Sequence, residues 1–472
     1  MRVIGSARRL CSAQCNAVTR LQLEPVERAD RLDFMGQMRG PAGNVPVMPS
    51  EPHTQSGSTD ILVIGAGLAG LRCASVLADR GRDVRVWEAA SEVGGRVRTD
   101  IVEGFHCDHG FQVLNPAYPE LRRAFDLPAL RLQPFGPGVA VRRTEGFSVW
   151  VHPLRTPTGV PAMLAGGGVR ARDLVAVTRW AAPALRPKAL TRPNSADTAL
   201  YEALDRARVG GDVRRVIDRF LAGVVLEDTG ATSNAFALLL IRMFILGVPA
   251  LPAAGMKALP HQMAARLQGR ISLRRDVTRL EPDGAGWLVG AGTDVMRAQH
   301  VVIATDPVRA SALSGLPAPS MHGVVTDWWA TDRRPDGPAM LWVDGRPGHR
   351  GPVLNAAVIS AAAPTYAPPG RHLIAASALV SPQGDPPAEA DTREHAADIL
   401  RADAEDWVLL RRHVIGHALP AQPPPLRVRQ TIRARRGLWV CGDHRDTASI
   451  QGALVSGRRT AAALLGRGAD RA

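Results

Sequence analysis

The sequence predicts an α/β protein: a doubly wound dinucleotide-binding domain with an α+β domain interleaved into it. Three observations carry this. An apolar run at 61–64 enters the turn Gly65-Ala66-Gly67-Leu68-Ala69-Gly70 and continues into a helical pattern as far as Arg80. A second apolar run at 84–87 ends on Glu88. Strand-like runs at 301–306 and 438–443 then recur far downstream, each ending in a short turn of small or acidic residues.

Each part of the opening unit has a physical reason. Gly65 permits the tight turn, Gly67 lets the backbone approach a pyrophosphate, and Gly70 lets helix and strand pack closely. Ala66 and Ala69 lie in the same turn and complete its predicted binding set. The helix that follows offers free N–H groups and the positive end of its dipole to phosphate. Glu88 lies 18 residues past Gly70, close to the roughly 20 expected of a carboxylate that accepts from ribose hydroxyls. Just downstream, Gly94-Gly95-Arg96 reads as a second phosphate clamp, two glycines for close approach and a bidentate guanidinium.

The stretch from Asp60 to Thr99 resembles the FAD-binding segment of the flavin-containing amine oxidase, protoporphyrinogen oxidase and phytoene desaturase superfamily. The resemblance implies FAD, with its adenosine near Glu88 and its diphosphate between the glycine turn and Arg96; no Cys or His attachment motif lies beside the final helix, so the FAD is expected to be non-covalent. Later landmarks follow in the superfamily's order and extend the likeness to most of the chain. Asp108-His109-Gly110-Phe111-Gln112-Val113 is similar to the loop beside the flavin ring. Residues 255–260 open a helix and 271–280 read as a strand, in which the counterpart of Val277 contacts adenine through its backbone. Leu438-Trp439-Val440-Cys441-Gly442-Asp443 delivers an acid suited to a ribityl hydroxyl. The helix opening near Ile450 would aim its N–H groups at the ring's pyrimidine edge.

Composition bounds the rest. At 472 residues the chain has room for two domains and a large core, and 45% apolar residues fit a globular protein. The net charge of +14 suggests an anionic partner, but 56 of the 58 basic residues are dispersed arginines without interleaved aromatics, which argues against nucleic acid. Five scattered cysteines without a CxxC pair read as reduced thiols of a cytoplasmic protein. The histidine spacing shows no metal-ligand cluster, so no metal is expected. The apolar stretch 235–253 is interrupted by Arg242, Gly247 and two prolines, a buried helix rather than a membrane span; peripheral membrane contact stays open.

Residues 1–57 show no sustained period and read as a disordered extension or a mis-assigned start, with Met48 the natural initiator and a targeting peptide the alternative. The cofactor domain is expected from 58–140, 250–310 and 425–472, the substrate domain from 141–249 and 311–424. Hydride removal from a C–H bond is the chemistry that the resemblance implies. Amine oxidases of the superfamily have an aromatic cage and a lysine beside the ring. Here the cage position is Ser449, the counterpart strand 323–328 lacks lysine, and the chain has three tyrosines. Dehydrogenation of a larger apolar small-molecule substrate, desaturase-like or porphyrinogen-oxidase-like, is therefore favoured. The alternatives are amine oxidation, a redox-neutral flavin-dependent isomerase and a flavin-binding protein without chemistry. The segment 235–251 is the candidate pocket wall, and His109 the one weak catalytic candidate. With no second GxGxxG, reoxidation should fall to oxygen, a quinone or another carrier.

Overall fold

The computed structural model describes residues 56–166, 168–191, 196–348, 351–380 and 384–466. The expectations for the N-terminal extension lie outside these, except that Ser56 and Gly57 already belong to the first strand, Ser56–Ile64. That strand starts earlier than its apolar run because residues 56–59 pair with 295–298 of the neighbouring strand.

Two large sheets organise the chain. In the first, the strands run in the order Arg279–Asp283, Gly286–Ala291, Asp294–Ile303, Ser56–Ile64, Val84–Trp87, Ile271–Ser272. Its central pairings, Ser56–Ile64 with Asp294–Ile303 and with Val84–Trp87, are parallel. Ile61, Leu62 and Val63 are wholly buried there, as an unbroken apolar run must be when both faces of a parallel sheet are covered. Asp294–Ile303 changes neighbours along its length. Its first half pairs with Gly286–Ala291 and its last three residues pair in parallel with Leu438–Val440. The helix Leu68–Ala78 packs against the final helix, Ile450–Leu464. Buried Glu120 joins the two, binding Arg72 at 2.8 Å and Arg458 at 3.0 Å.

The expected strand over 271–280 is instead two short pieces, Ile271–Ser272 and Arg279–Asp283. Between them the backbone follows the loop after Glu88. Arg274 N–H donates to the Ala90 carbonyl and Arg275 N–H to that of Glu88, and Arg274 takes a left-handed φ of 56°.

The second sheet has seven strands in the order Val408–Pro420, Met321–Thr331, His372–Val380, Val353–Val358, Leu341–Asp344, Gly138–Arg142, Phe147–Val151. Gly138–Arg142 joins Leu341–Asp344 in parallel across some two hundred residues of sequence, the rest of the pairings being antiparallel. The helices Gly211–Val225 and Asn234–Leu246 come from the helical segment expected between 141 and 249. Among the described residues no helix is long and apolar enough to cross a membrane.

Candidate functional site

The first strand ends in a turn that only glycine can make. Gly65 has φ 106°, and a Cβ at Gly70 would stand 2.1 Å from the Gly65 carbonyl oxygen. The helix then begins on Gly67 without a side-chain cap and without an acid in its first turn. Its free N–H groups and positive dipole end are therefore uncompensated by the protein itself. Glu88 closes the turn from the next strand, accepting from Ala66 N at 2.6 Å and from Ala90 N at 2.9 Å. The second glycine loop lies alongside the first through a bridge between Gly67 and Gly94. Arg96 donates to the Ala418 carbonyl at 2.8 Å and to Asp443 at 2.6 Å. Burial disfavours its charge, yet the Asp443 carboxylate beside it lifts its pKa above the usual arginine value.

These groups border one chamber of about 940 Å³ that runs on to the seven-stranded sheet. Every predicted cofactor residue lines it except Ala66 and Gly70, which lie beneath the turn. Val277 is among the lining residues, and its carbonyl accepts from Arg309 at 2.7 Å. Arg275, Asp306 and Arg309 also line this end and were not anticipated as site residues. The Thr305-Asp306-Pro307 step after a buried strand was the available signal, since Asp306 caps the next helix by accepting from Val308 N and Arg309 N.

Beyond the nucleotide end the walls turn apolar. Each strand of the seven-stranded sheet contributes to the floor; Trp150, Val139, Leu341, Val324 and Ile415 are among its apolar members, and Asn355 and Ser377 lie between them. Phe220 and Phe244, edge to face at 5.1 Å between centroids, stand on the two facing helices with Leu240 and Met243.

His109 lines the chamber, but its Nε2 is 2.9 Å from Asp100. The same carboxylate meets His413 at 3.2 Å and Arg411 at 3.1 Å, and the two imidazoles stack at 4.3 Å. Burial raises the Asp100 pKa, but the histidine hydrogen bonds outweigh it and hold the group below the usual carboxylate range. Asp100, His109 and His413 thus form a cluster that the histidine spacing does not reveal, because 313 residues separate Asp100 from His413. Its hydrogen bonds anchor the loop that carries Gly110 and Phe111. Asp108, the residue before His109, anchors the same end of that loop, accepting from Thr99 Oγ1, Met256 N and the Tyr366 hydroxyl, and burial pushes its pKa up to about 6.

The donor set and the space fit a dinucleotide. A Cβ at Gly67 would meet nothing nearer than the Gly94 carbonyl at 3.9 Å, which leaves the helix N-terminus open to a diphosphate. The doubly wound sheet, the paired glycine loops and the continuous chamber define a flavoprotein fold. Residues 68–465 match the family described as flavin containing amine oxidoreductase. The chain belongs to that family, and its cofactor is FAD. It is 29% identical over 290 residues to putrescine oxidase of Kocuria rosea, covering 54% of this chain and 58% of that one. Over 71 residues it is 38% identical to protoporphyrinogen oxidase 2 of Arabidopsis thaliana, 15% of this chain and 14% of the plant protein. The chain thus spans less than two thirds of these relatives. The structure of an oxidoreductase from Methanosarcina mazei superposes with a TM-score of 0.64 at 16% identity, over 84% of this chain and 98% of that one, a likeness of fold.

Proposed function

We propose that this chain is an FAD-dependent oxidoreductase that takes a hydride from a C–H bond of a large, apolar organic molecule. The observation that carries the reading is the continuity of the chamber. One cavity joins the glycine turn to a wall of Phe220, Leu240, Met243 and Phe244. Binding energy gathered along such a wall can position a reacting bond against the cofactor. FAD, when bound, supplies a two-electron acceptor for the hydride.

The chain's own residues do the rest. Glu88 is placed for the adenosine ribose, the Gly67 helix N-terminus and Arg96 for the diphosphate, and Asp443 for the ribityl chain. Gly110, Phe111 and Gln112 would hold the ring, and the N-terminus of the helix opening at Ile450 would offer its dipole to the ring's polar edge. The apolar wall excludes water. We assign the cofactor role to 58–140, 250–310 and 425–472 and the substrate role to 141–249 and 311–424, with Gly138–Arg142 serving the second sheet. No cysteine lines the chamber among the described residues, and Cys73, Cys107 and Cys441 are buried and free, which supports non-covalent FAD and a cytoplasmic setting.

Amine oxidation is the weaker reading. Ser449 occupies the cage position and spends its hydroxyl on capping the final helix, accepting from Gly452 N at 3.0 Å. Of the three tyrosines only Tyr118 lines the chamber; Tyr366 is held by Asp108 and Tyr201 is exposed. No lysine lines it. Phe244→Asp tests the reading. It should leave FAD content unchanged and lower turnover of an extended apolar substrate at least about tenfold, since an unpaired carboxylate in an apolar wall costs several kcal/mol. Full turnover in this variant would place the substrate elsewhere.

A further inference from the structure

We infer that the chamber selects a substrate whose polar group is neutral and oxygen-bearing, a hydroxyl or carbonyl on an otherwise apolar skeleton, and that Asn355 with Ser377 is the element that reads it. The inference rests on the apolar-substrate reading above and adds the chemistry of the substrate's polar end.

Charge is distributed unevenly along the chamber. Four carboxylates line the chamber: Glu88, Asp276, Asp306 and Asp443. All four sit on loops of the eight-stranded sheet, and each is engaged. Glu88 accepts from two backbone N–H groups, Asp276 faces Arg309 at 3.5 Å, Asp306 caps its helix and Asp443 pairs with Arg96. The walls supplied by the seven-stranded sheet and its two facing helices contain no carboxylate among the described residues. The titratable groups beyond the nucleotide end are His109, Tyr118, His152 and Arg155. An ammonium group would find no carboxylate on those walls and a guanidinium nearby, so burying it there is unfavourable.

A polar pair is set in the apolar floor. Asn355 and Ser377 are directly opposed on neighbouring strands, so their side chains share one face of the sheet. Both line the chamber, and both are almost fully buried, 3% and 4% exposed. The Ser377 hydroxyl lies 2.8 Å from that of Thr326 and retains further hydrogen-bonding capacity. Asn355 Oδ1 has no partner in the protein. A buried amide oxygen left in that state is destabilising, and a hydroxyl donated from the chamber would satisfy it. The Trp150 indole N–H, on the same floor, is likewise unpartnered.

The facing helix is shaped around this amide. Gly223 lies within Gly211–Val225, where glycine is a weaker helix former than alanine. A Cβ there would stand 2.1 Å from Asn355 Nδ2. The helix accepts a weak residue so that the amide can occupy the chamber wall. An amide beside a hydroxyl supplies both donors and acceptors, which matches a neutral oxygen group and gives no advantage to a cation.

The test is calorimetric titration of the FAD-loaded protein at neutral pH with three probes of one chain length: decan-1-ol, decylamine, which is then an ammonium, and decanoate. The alcohol should bind at least about tenfold more tightly than either ion. Asn355→Leu should remove that preference, and Asn355→Asp should turn it toward the ammonium; Ser377→Ala, a smaller change, should weaken alcohol binding if the first two fail to fold. Equal or tighter binding of an ion, or an alcohol preference that survives the substitutions, overturns the inference alone. No binding by any probe overturns the apolar-substrate reading and this inference with it.

Discussion

Replacing Glu88 by alanine should damage the protein twice, once with FAD and once without. The carboxylate accepts from Ala66 N at 2.6 Å and Ala90 N at 2.9 Å. Ala66 is fully buried, so its N–H cannot turn to water when the acceptor is removed, and leaving it unpaired costs about 1–3 kcal/mol. Ala90 is only half-buried and can rehydrate, adding little. The apoprotein should therefore lose about 1–3 kcal/mol, a fall of a few degrees in Tm. A separate loss of about 1–3 kcal/mol should appear in FAD binding through the missing ribose hydrogen bonds, roughly 5- to 150-fold in Kd. Glu88→Gln retains an acceptor and should recover part of the stability but less of the affinity. Thermal melts of the apoprotein and fluorescence titration with FAD separate the two effects. An apo Tm and a Kd both equal to the parent's would refute the reasoning, whereas a loss of stability alone would leave Glu88 as a shaper of the turn.

Two further outcomes follow from the buried charges. Glu120→Ala strips the partner from buried Arg72 and loosens the first helix from the last, and should cost about 3–5 kcal/mol in a denaturant titration; an unchanged midpoint would mean that Arg72 finds water. His444 is buried, with both ring nitrogens unpartnered, and burial lowers its pKa to about 4 from an ordinary 6.5. The unfolded chain then takes up the proton first, so this group's stability contribution is complete above pH 6.5 and is lost as pH falls toward 4, by about 3 kcal/mol in all. The stability difference between the parent and His444→Leu should shift by that amount across the window, and a pH-independent difference would show that the imidazole is not held neutral.

How much could be read in the sequence depends on the range of the interactions. The glycine turn, the acid after the second strand and the final helix are local, so their residue types report their geometry directly. The strand expected at 271–280 is broken where Arg274 and Arg275 donate to the carbonyls of Ala90 and Glu88, of which its residue pattern gives no sign. The seven-stranded sheet was legible only as scattered strands. Its parallel seam between Gly138–Arg142 and Leu341–Asp344 is a long-range pairing with no turn chemistry to announce it. Asn355 and Ser377 escaped for the same reason, since a polar residue in a short strand reads as solvent-facing until the opposite wall is known. The cluster of Asp100, His109 and His413 likewise appears only once the fold brings the hairpin at 99–109 against the strand that carries His413.

Anaerobic mixing of the FAD-loaded protein with candidate substrates, followed at the absorbance band of the oxidised flavin, tests the central claim most directly. Simple primary and secondary amines should bleach the flavin slowly or not at all. An extended apolar molecule carrying a neutral oxygen group should bleach it faster, by lowering the cost of bringing its C–H bond to the cofactor. Rapid bleaching by a simple monoamine, with aldehyde and hydrogen peroxide formed when air is admitted, would contradict the account and make the chain an amine oxidase.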